Sequence, residues 1–318
     1  MTIRPATFSL QRLLRALPKP LRRIKVAQAI ATMTGSSYQR VAFAQGELVA
    51  NVRDHEVANS LVRASFADYG YFDLARSLLA EGDVHVDVGA NYGFHTYGLF
   101  QLPVGPTLNY VLVEANPDCV ACLRASADLH PGYRVKIFHA AAAATAGSVG
   151  FNFNAAATGA GQVGSGSPSA NTVTVPASTL DDLLAENQVD DVGLLKMDIE
   201  GSEVSALRGL AKMLSSHRIK QVYFEVNPVC LAQQGTDPLA LFAEFTRHGY
   251  RLFWPHDGVD WVLKVYGPGQ ATAAELHIFT LRGREPRRVI AFDPTRYKAG
   301  QFSQCDLLAV SHRCQVEK

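Results

Sequence analysis

Residues 82–100 read GDVHVDVGANYGFHTYGLF, and the fold turns on them. Val84, Val86 and Val88 alternate as a strand does. Gly89 and Gly93 then supply a turn, and Phe94 to Leu102 has the composition of a helix. Strand, glycine-bearing turn and helix is the unit with which α/β proteins hold a nucleotide-like cofactor at the carboxyl end of a strand. An ordinary βα connection uses the same residues as plain turn formers, so the rest of the chain has to decide.

Downstream of this stretch, strands and helices alternate. Strands are predicted at Asn109 to Glu114 and Arg134 to Ala140, with a helix over Asp118 to His130 between them. Residues 141–178 interrupt the rhythm: strands at Gly147 to Asn154 and Thr172 to Val175 flank a Gly/Ser-rich stretch, 158–170, which reads as a loop bordering the substrate mouth. A short helix follows at Thr179 to Leu184, capped by Ser178 or Thr179. The fourth strand, Val192 to Met197, runs into Asp198-Ile-Glu-Gly-Ser-Glu203 and a helix with Val204, Leu207, Leu210 and Leu214 on one face. Ile219 to Glu225 is the fifth strand, followed by a helix over Pro238 to His248. Strands at Tyr250 to Trp254, Trp261 to Val265, Leu276 to Leu281 and Asp306 to Val310 close the chain. The pattern implies an α/β fold: a mostly parallel sheet with helices on both faces and an antiparallel C-terminal edge.

Upstream, Tyr38 to Ala44 and Glu47 to Val52 alternate about Gln45-Gly46 and predict a β-hairpin, and 53–81 reads as mostly helical. Residues 1–46 contain no Asp or Glu but carry eight basic residues, from Arg4 to Arg40. They predict a helical appendix packed on the main domain, with contact to an anionic membrane or substrate as the alternative. The chain therefore divides into a basic N-terminal extension with its hairpin, 1–60, and one main domain, 61–318.

Bulk composition narrows the function. Across 318 residues, 47% are hydrophobic and 19% charged, which is ordinary for a soluble globular protein. A formal net charge of +1 argues against nucleic-acid binding by bulk electrostatics. Five cysteines form no disulfide framework, and neither a bilayer-spanning run nor a signal-peptide core is present, so a cytoplasmic location is expected. Cys119 and Cys122, three apart on a predicted helix without a second pair, are not read as a metal site.

Charge identifies the cofactor. A dinucleotide site carries G-x-G-x-x-G, but here Gly89 and Gly93 lack the middle glycine. Asp87, two residues before Gly89, would repel a pyrophosphate. S-adenosylmethionine has no phosphate, and its ammonium and sulfonium suit a carboxylate there. Its own carboxylate would take backbone N–H groups of the turn, Gly89, Ala90, Asn91, Tyr92 and Gly93, and the Thr96 hydroxyl. Glu114, ending the second strand, would accept from the ribose hydroxyls. Ala115 and Asn116 would flank the adenine on one side and Ala140 on the other.

These residues resemble the FkbM-type S-adenosylmethionine-dependent methyltransferases. The resemblance rests on Asp87 to Thr96 (DVGANYGFHT), Val113 to Pro117 (VEANP), Thr179 to Leu184 (TLDDLL), Lys196 to Glu203 (KMDIEGSE), Phe224 to Val226 and the closing Asp306 to Val310. Ser202 stands where that family more often has an aromatic or larger residue. The resemblance implies a class I methyltransferase sheet of seven strands and methylation of a hydroxyl on a sugar, polyketide or similar metabolite.

In-line transfer from sulfur to oxygen needs collinear donor and acceptor and a base for the hydroxyl proton. Asp198, at the end of strand four, is expected to organise donor and acceptor, with Glu200 or Glu225 facing the substrate as base. Asp198, Glu225 and Asn227 would also suit Mg²⁺ or Ca²⁺, but plain carboxylate chemistry is the preferred reading and no metal is assigned. His95 is read as packing against the sheet or capping a pocket rather than as a base, and Trp254 and Trp261 as edge packing or as walls for a ring-shaped acceptor. Two alternatives stand beside the methyltransferase: a nicotinamide-dependent oxidoreductase, and a non-catalytic adaptor that keeps the fold.

Overall fold

A computed structural model describes residues 35–43, 46–63, 69–164, 172–255, 278–281, 283, 285–298, 304–314 and 316–317. The basic segment 1–34, part of the Gly/Ser-rich stretch, Trp261 and the strand expected at 261–265 lie outside the described residues.

The hairpin β1 (Tyr38–Phe43) and β2 (Gly46–Asn51) forms in the expected register, Tyr38 opposite Asn51. Helices α1 (His55–Arg63) and α2 (Tyr69–Leu78) lead into β3 (Val84–Val88), α3 (Phe94–Leu99), β4 (Asn109–Glu114), α4 (Pro117–Asp128) and β5 (Arg134–His139). α4 starts where it does because the Asn116 side chain accepts from the Asp118 amide at 3.0 Å and Pro117 suits the first helical position.

A four-stranded sheet interrupts the alternation: β6 (Ala141–Ala142), β7 (Gly147–Asn154), β8 (Ala157–Val163) and β9 (Thr172–Ser178), ordered β6-β9-β7-β8. The Gly/Ser-rich stretch therefore begins as a strand. Residues without apolar periodicity pair here because β7 supplies their hydrogen bonds, Phe151 opposite Val163. Next come α5 (Leu180–Glu186), capped by Thr179, then β10 (Val192–Met197), α6 (Glu203–Arg208) and α7 (Ala211–Ser215). The single helix expected over 204–214 is broken at Gly209, where a Cβ would lie 2.1 Å from the Ala143 carbonyl oxygen. β11 (Ile219–Val226), α8 (Pro228–Gln233), α9 (Pro238–Thr246), β12 (Tyr250–Trp254), β13 (Ile278–Leu281), β14 (Arg287–Ala291), β15 (Cys305–Ser311) and β16 (Val316–Glu317) complete the chain.

Among the described residues the main sheet has ten strands, ordered β16-β13-β14-β12-β15-β11-β10-β3-β4-β5. The expectation of seven mostly parallel strands is corrected here. The ladders from β5 to β11 are parallel, and every ladder from β11 to β16 is antiparallel. The polar and arginine-bearing β14 gave no strand signal in isolation; pairing to β12 and β13 makes it one.

Alternation along the strands creates a core on each face. Val86, Val88, Val111, Val113, Leu195 and Met197 pack with Leu207, Leu214 and Phe242 on one side. Tyr110, Leu112 and Leu194 pack with Tyr71, Leu74, Tyr97 and Leu123 on the other. Chain order reverses between β3 and β10, and a crevice opens at their carboxyl ends, where ligands enter open α/β sheets.

Candidate active site

Gly89 is required by this crevice. Its φ is +78°, and a Cβ there would lie 1.9 Å from the Asp198 carbonyl oxygen, so only glycine lets β3 finish against the end of β10. The turn that follows uses its amides internally. Gly89 and Ala90 N–H groups donate to the Val113 carbonyl at 2.9 and 3.3 Å, Asn91 N–H to Glu114 Oε2 at 2.7 Å and Gly93 N–H to the Ala90 carbonyl at 2.7 Å. The Gly89, Ala90, Asn91 and Gly93 amides are thereby engaged within the protein, where the sequence reading has them facing a ligand carboxylate.

A cavity of about 400 Å³ sits at the carboxyl ends of β3, β4, β10 and β11. Of the residues singled out in the sequence, Gly89, Ala90, Asn91, Glu114, Ala115 and Ala140 line it, as do Asp198, Glu200 and Glu225. Glu114 is buried. Its second oxygen, Oε1, accepts from the Asn116 amide at 2.7 Å, and desolvation raises its pKa against these stabilising amides.

Asp87, Tyr92, Gly93, Thr96 and Asn116 do not line the cavity. Asp87 lies on the opposite side of β3 from Val86 and Val88. Its Oδ2 accepts from the Thr96 hydroxyl at 2.8 Å, and Lys196 Nζ lies 3.7 Å from Oδ1. Thr96 is thereby occupied, Tyr92 is packed in the core that holds Tyr71 and Tyr97, and the Asn116 side chain caps α4. Lys196, itself buried and lining the cavity, also reaches Asp198 Oδ2 at 3.4 Å, and so bridges Asp87 to the cavity wall.

Asp198, Glu200 and Glu225 converge, each offering a carboxylate oxygen within 4.8 Å of the others. Glu200 is held in the left-handed region, φ +52°, beside Gly201, where a Cβ would meet the Cys230 carbonyl at 2.3 Å. Its Oε2 accepts from Cys230 Sγ at 3.1 Å. Glu225 accepts from the Gln304 amide through Oε1, while its buried Oε2 has no hydrogen-bond partner. Burial, then the Asp198 and Glu200 charges, push the Glu225 carboxyl up to about 8; burial also raises Glu200. Asn227, expected beside Asp198 and Glu225, caps α8 instead, and Glu200 takes its place in the cluster.

Residues 87–252, a little over half of the chain, match the family model of the methyltransferase FkbM domain. The chain belongs to the FkbM methyltransferase family. A hexuronic acid methyltransferase, AglP, of Haloferax volcanii is 27% identical over 164 residues, which are 50% of this chain and 65% of that protein. The solved methyltransferase FkbM of Methylobacillus flagellatus aligns at 17% identity and a TM-score of 0.38, covering 86% of this chain and 59% of that one. A precorrin-6y C5,15-methyltransferase of Geobacter metallireducens aligns at 10% identity and a TM-score of 0.36, covering 79% and 89%. The chain thus spans about two thirds or less of the length of the curated relative and of the FkbM structure.

This FkbM-family chain also recruits residues that the sequence did not reveal. Phe151, Thr158, Gly159, Gly161 and Val163 of the β7–β8 hairpin form one wall, with Glu56 of α1 beside Gly159 and Gln304 near Glu225. The hairpin is tied at both ends. Buried Asp54 accepts from the Thr158 amide and hydroxyl, both at 2.8 Å, and from the Glu56 amide at 2.8 Å. At the far end of β8, Gln234 Nε2 donates to the Val163 carbonyl at 2.7 Å. No sequence signal announces these long-range ties. His95 lines the cavity, edge-on to Tyr71 at 4.8 Å, whereas Trp254 is buried against Phe292 in the core and does not border it.

Proposed function

We propose that this chain transfers a methyl group from S-adenosylmethionine to a hydroxyl of a sugar, polyketide or similar metabolite, acting in the cytoplasm. The observation that carries the reading is one cavity shared by Glu114, at the end of β4, and the carboxylates Asp198, Glu200 and Glu225, at the ends of β10 and β11. Glu114 would accept from the ribose hydroxyls, and the small side chains of Ala115 and Ala140 leave room for the adenine. The sulfonium would then lie toward Asp198, with Asp87 steadying this end through Lys196 rather than touching the donor. Glu225 or Glu200 would accept the hydroxyl proton as the S–CH₃ bond breaks and the O–CH₃ bond forms. Burial raises the Glu225 carboxyl, which makes the ionised form a stronger proton acceptor than an exposed carboxylate.

A hexuronic acid methyltransferase among the relatives supports a sugar as acceptor. The missing middle glycine and the FkbM family weigh against the nicotinamide reading. Calorimetry of the full chain with S-adenosylmethionine and with NAD tests the donor. The former should bind and the latter should not, and Glu114→Gln should weaken binding about tenfold or more. Failure of the folded protein to bind S-adenosylmethionine sinks the proposal. Donor binding without methyl transfer to any hydroxyl acceptor, hexuronic acids included, would instead support the adaptor.

A further inference from the structure

We propose that Asp198, Glu200 and Glu225 form a binding site for a hard divalent cation, of the class of Mg²⁺, Mn²⁺ or Ca²⁺. The inference deepens the reading of the cavity given above but stands on separate observations. Three oxygens within 4.8 Å of one another, all carboxylate, are the ligand type such cations take. Around a bound ion, adjacent oxygens stand about 3–3.5 Å apart, so small side-chain rotations close the set.

A cluster of acids alone would not carry this. Glu225 supplies the second observation: the residue is 7% exposed, it lines the cavity, and Oε2 has no hydrogen-bond partner while Oε1 is held by Gln304. A buried carboxylate oxygen left without a donor is costly unless a cation or a donor completes it. The neighbouring cation does not fill that role. Lys196 Nζ is placed between Asp87 Oδ1 and Asp198 Oδ2, and its ion pairs are with these two aspartates rather than with Glu200 or Glu225. Cys230 Sγ holds one oxygen of Glu200, as Gln304 holds one oxygen of Glu225. Each glutamate is thus oriented by a neutral donor, and an ion on the remaining oxygens would take over part of the hydroxyl activation that a carboxylate base otherwise supplies.

Such an ion would present its remaining coordination positions to the cavity, where substrate oxygens could complete them. It would also offset the negative charge of Glu56, Asp198, Glu200 and Glu225 along the wall, and so admit an acceptor that is itself anionic.

The test is direct Mn²⁺ binding to the full, chelator-treated chain, followed by calorimetry and by the loss of the free Mn²⁺ electron paramagnetic resonance signal. One saturable site is expected, competed by Mg²⁺ or Ca²⁺. Glu225→Gln and Asp198→Asn should each weaken it at least tenfold while keeping the wild-type circular dichroism. Asp190→Asn, an exposed carboxylate outside the cavity, should leave it unchanged. Absence of a saturable site, or equal affinity in Glu225→Gln and wild type, overturns the inference. S-adenosylmethionine binding measured on the same samples separates the two claims: donor binding without Mn²⁺ binding removes only the cation, and the converse removes only the donor.

Discussion

Asp87 shows how far a residue can be read before its neighbours are known. Two positions ahead of Gly89, its sequence position matches the donor's positive end. Burial beneath α3 instead gives it Thr96 and Lys196 as partners at 2.8 and 3.7 Å. Asp87→Asn should therefore act first on stability, since it strips a buried lysine of one counter-charge. A loss of about 3 kcal/mol is expected, read by urea unfolding. Unchanged stability with abolished donor binding would return Asp87 to direct contact. Glu114, by contrast, is where its strand-end position put it, because the end of a parallel strand at the switch point opens on the crevice whatever packs elsewhere.

At the scale of elements, the β7–β8 hairpin is the part of the site most dependent on other segments. Its residues carry no apolar period, and Asp54, more than a hundred positions away in sequence, anchors Thr158. Asp54→Ala removes the cap of α1 and leaves the Thr158 amide without its acceptor, for a combined loss of about 2–4 kcal/mol. Hydrogen exchange should quicken at Thr158 and its neighbours, and donor affinity should fall as this wall loosens. Unaltered exchange across 157–163 would show that the hairpin is held by other contacts. Elements with strong local signals form as expected: β3 alternates its valines, β4, β10 and β11 are rich in β-branched, aromatic and other apolar residues, and α4, α5 and α9 begin at side-chain caps. α8 gives no sequence signal because its six residues, Pro228–Gln233, are too short a pattern to resolve.

For the molecule as a whole, stability is tied to pH through Glu203, whose buried carboxyl accepts the Ile199 and Gly201 amides at 3.0 and 3.3 Å. Burial lifts its pKa to about 7, above the ordinary carboxylate value, so the folded state holds this proton more tightly than the unfolded chain. Its contribution is complete below about pH 4.5 and is lost as pH rises through 7, a change of at most ~3 kcal/mol. Glu203→Gln cannot titrate. The stability difference between wild type and variant should shift against the wild type between pH 5 and 8 in denaturant titrations, whereas parallel profiles would contradict the assignment. The ten-stranded sheet belongs to this scale too, for its outer antiparallel strands exist only as additions to an edge.

Local pattern by itself determined the alternating strands and helices, the glycine turn at Gly89 and the strand-end carboxylates Glu114, Asp198 and Glu225, beside the motifs that carry the resemblance to the FkbM family. These follow from the periodicity of apolar side chains and from residue types whose roles are set within a few positions of the chain. Tertiary structure alone decided that Asp87 faces Lys196, that Glu200 rather than Asn227 joins the acidic cluster and that Glu56 and the β7–β8 hairpin wall the cavity. Those facts depend on which side of a strand a residue falls and on contacts between distant segments, and both are fixed only when the two cores close over the sheet.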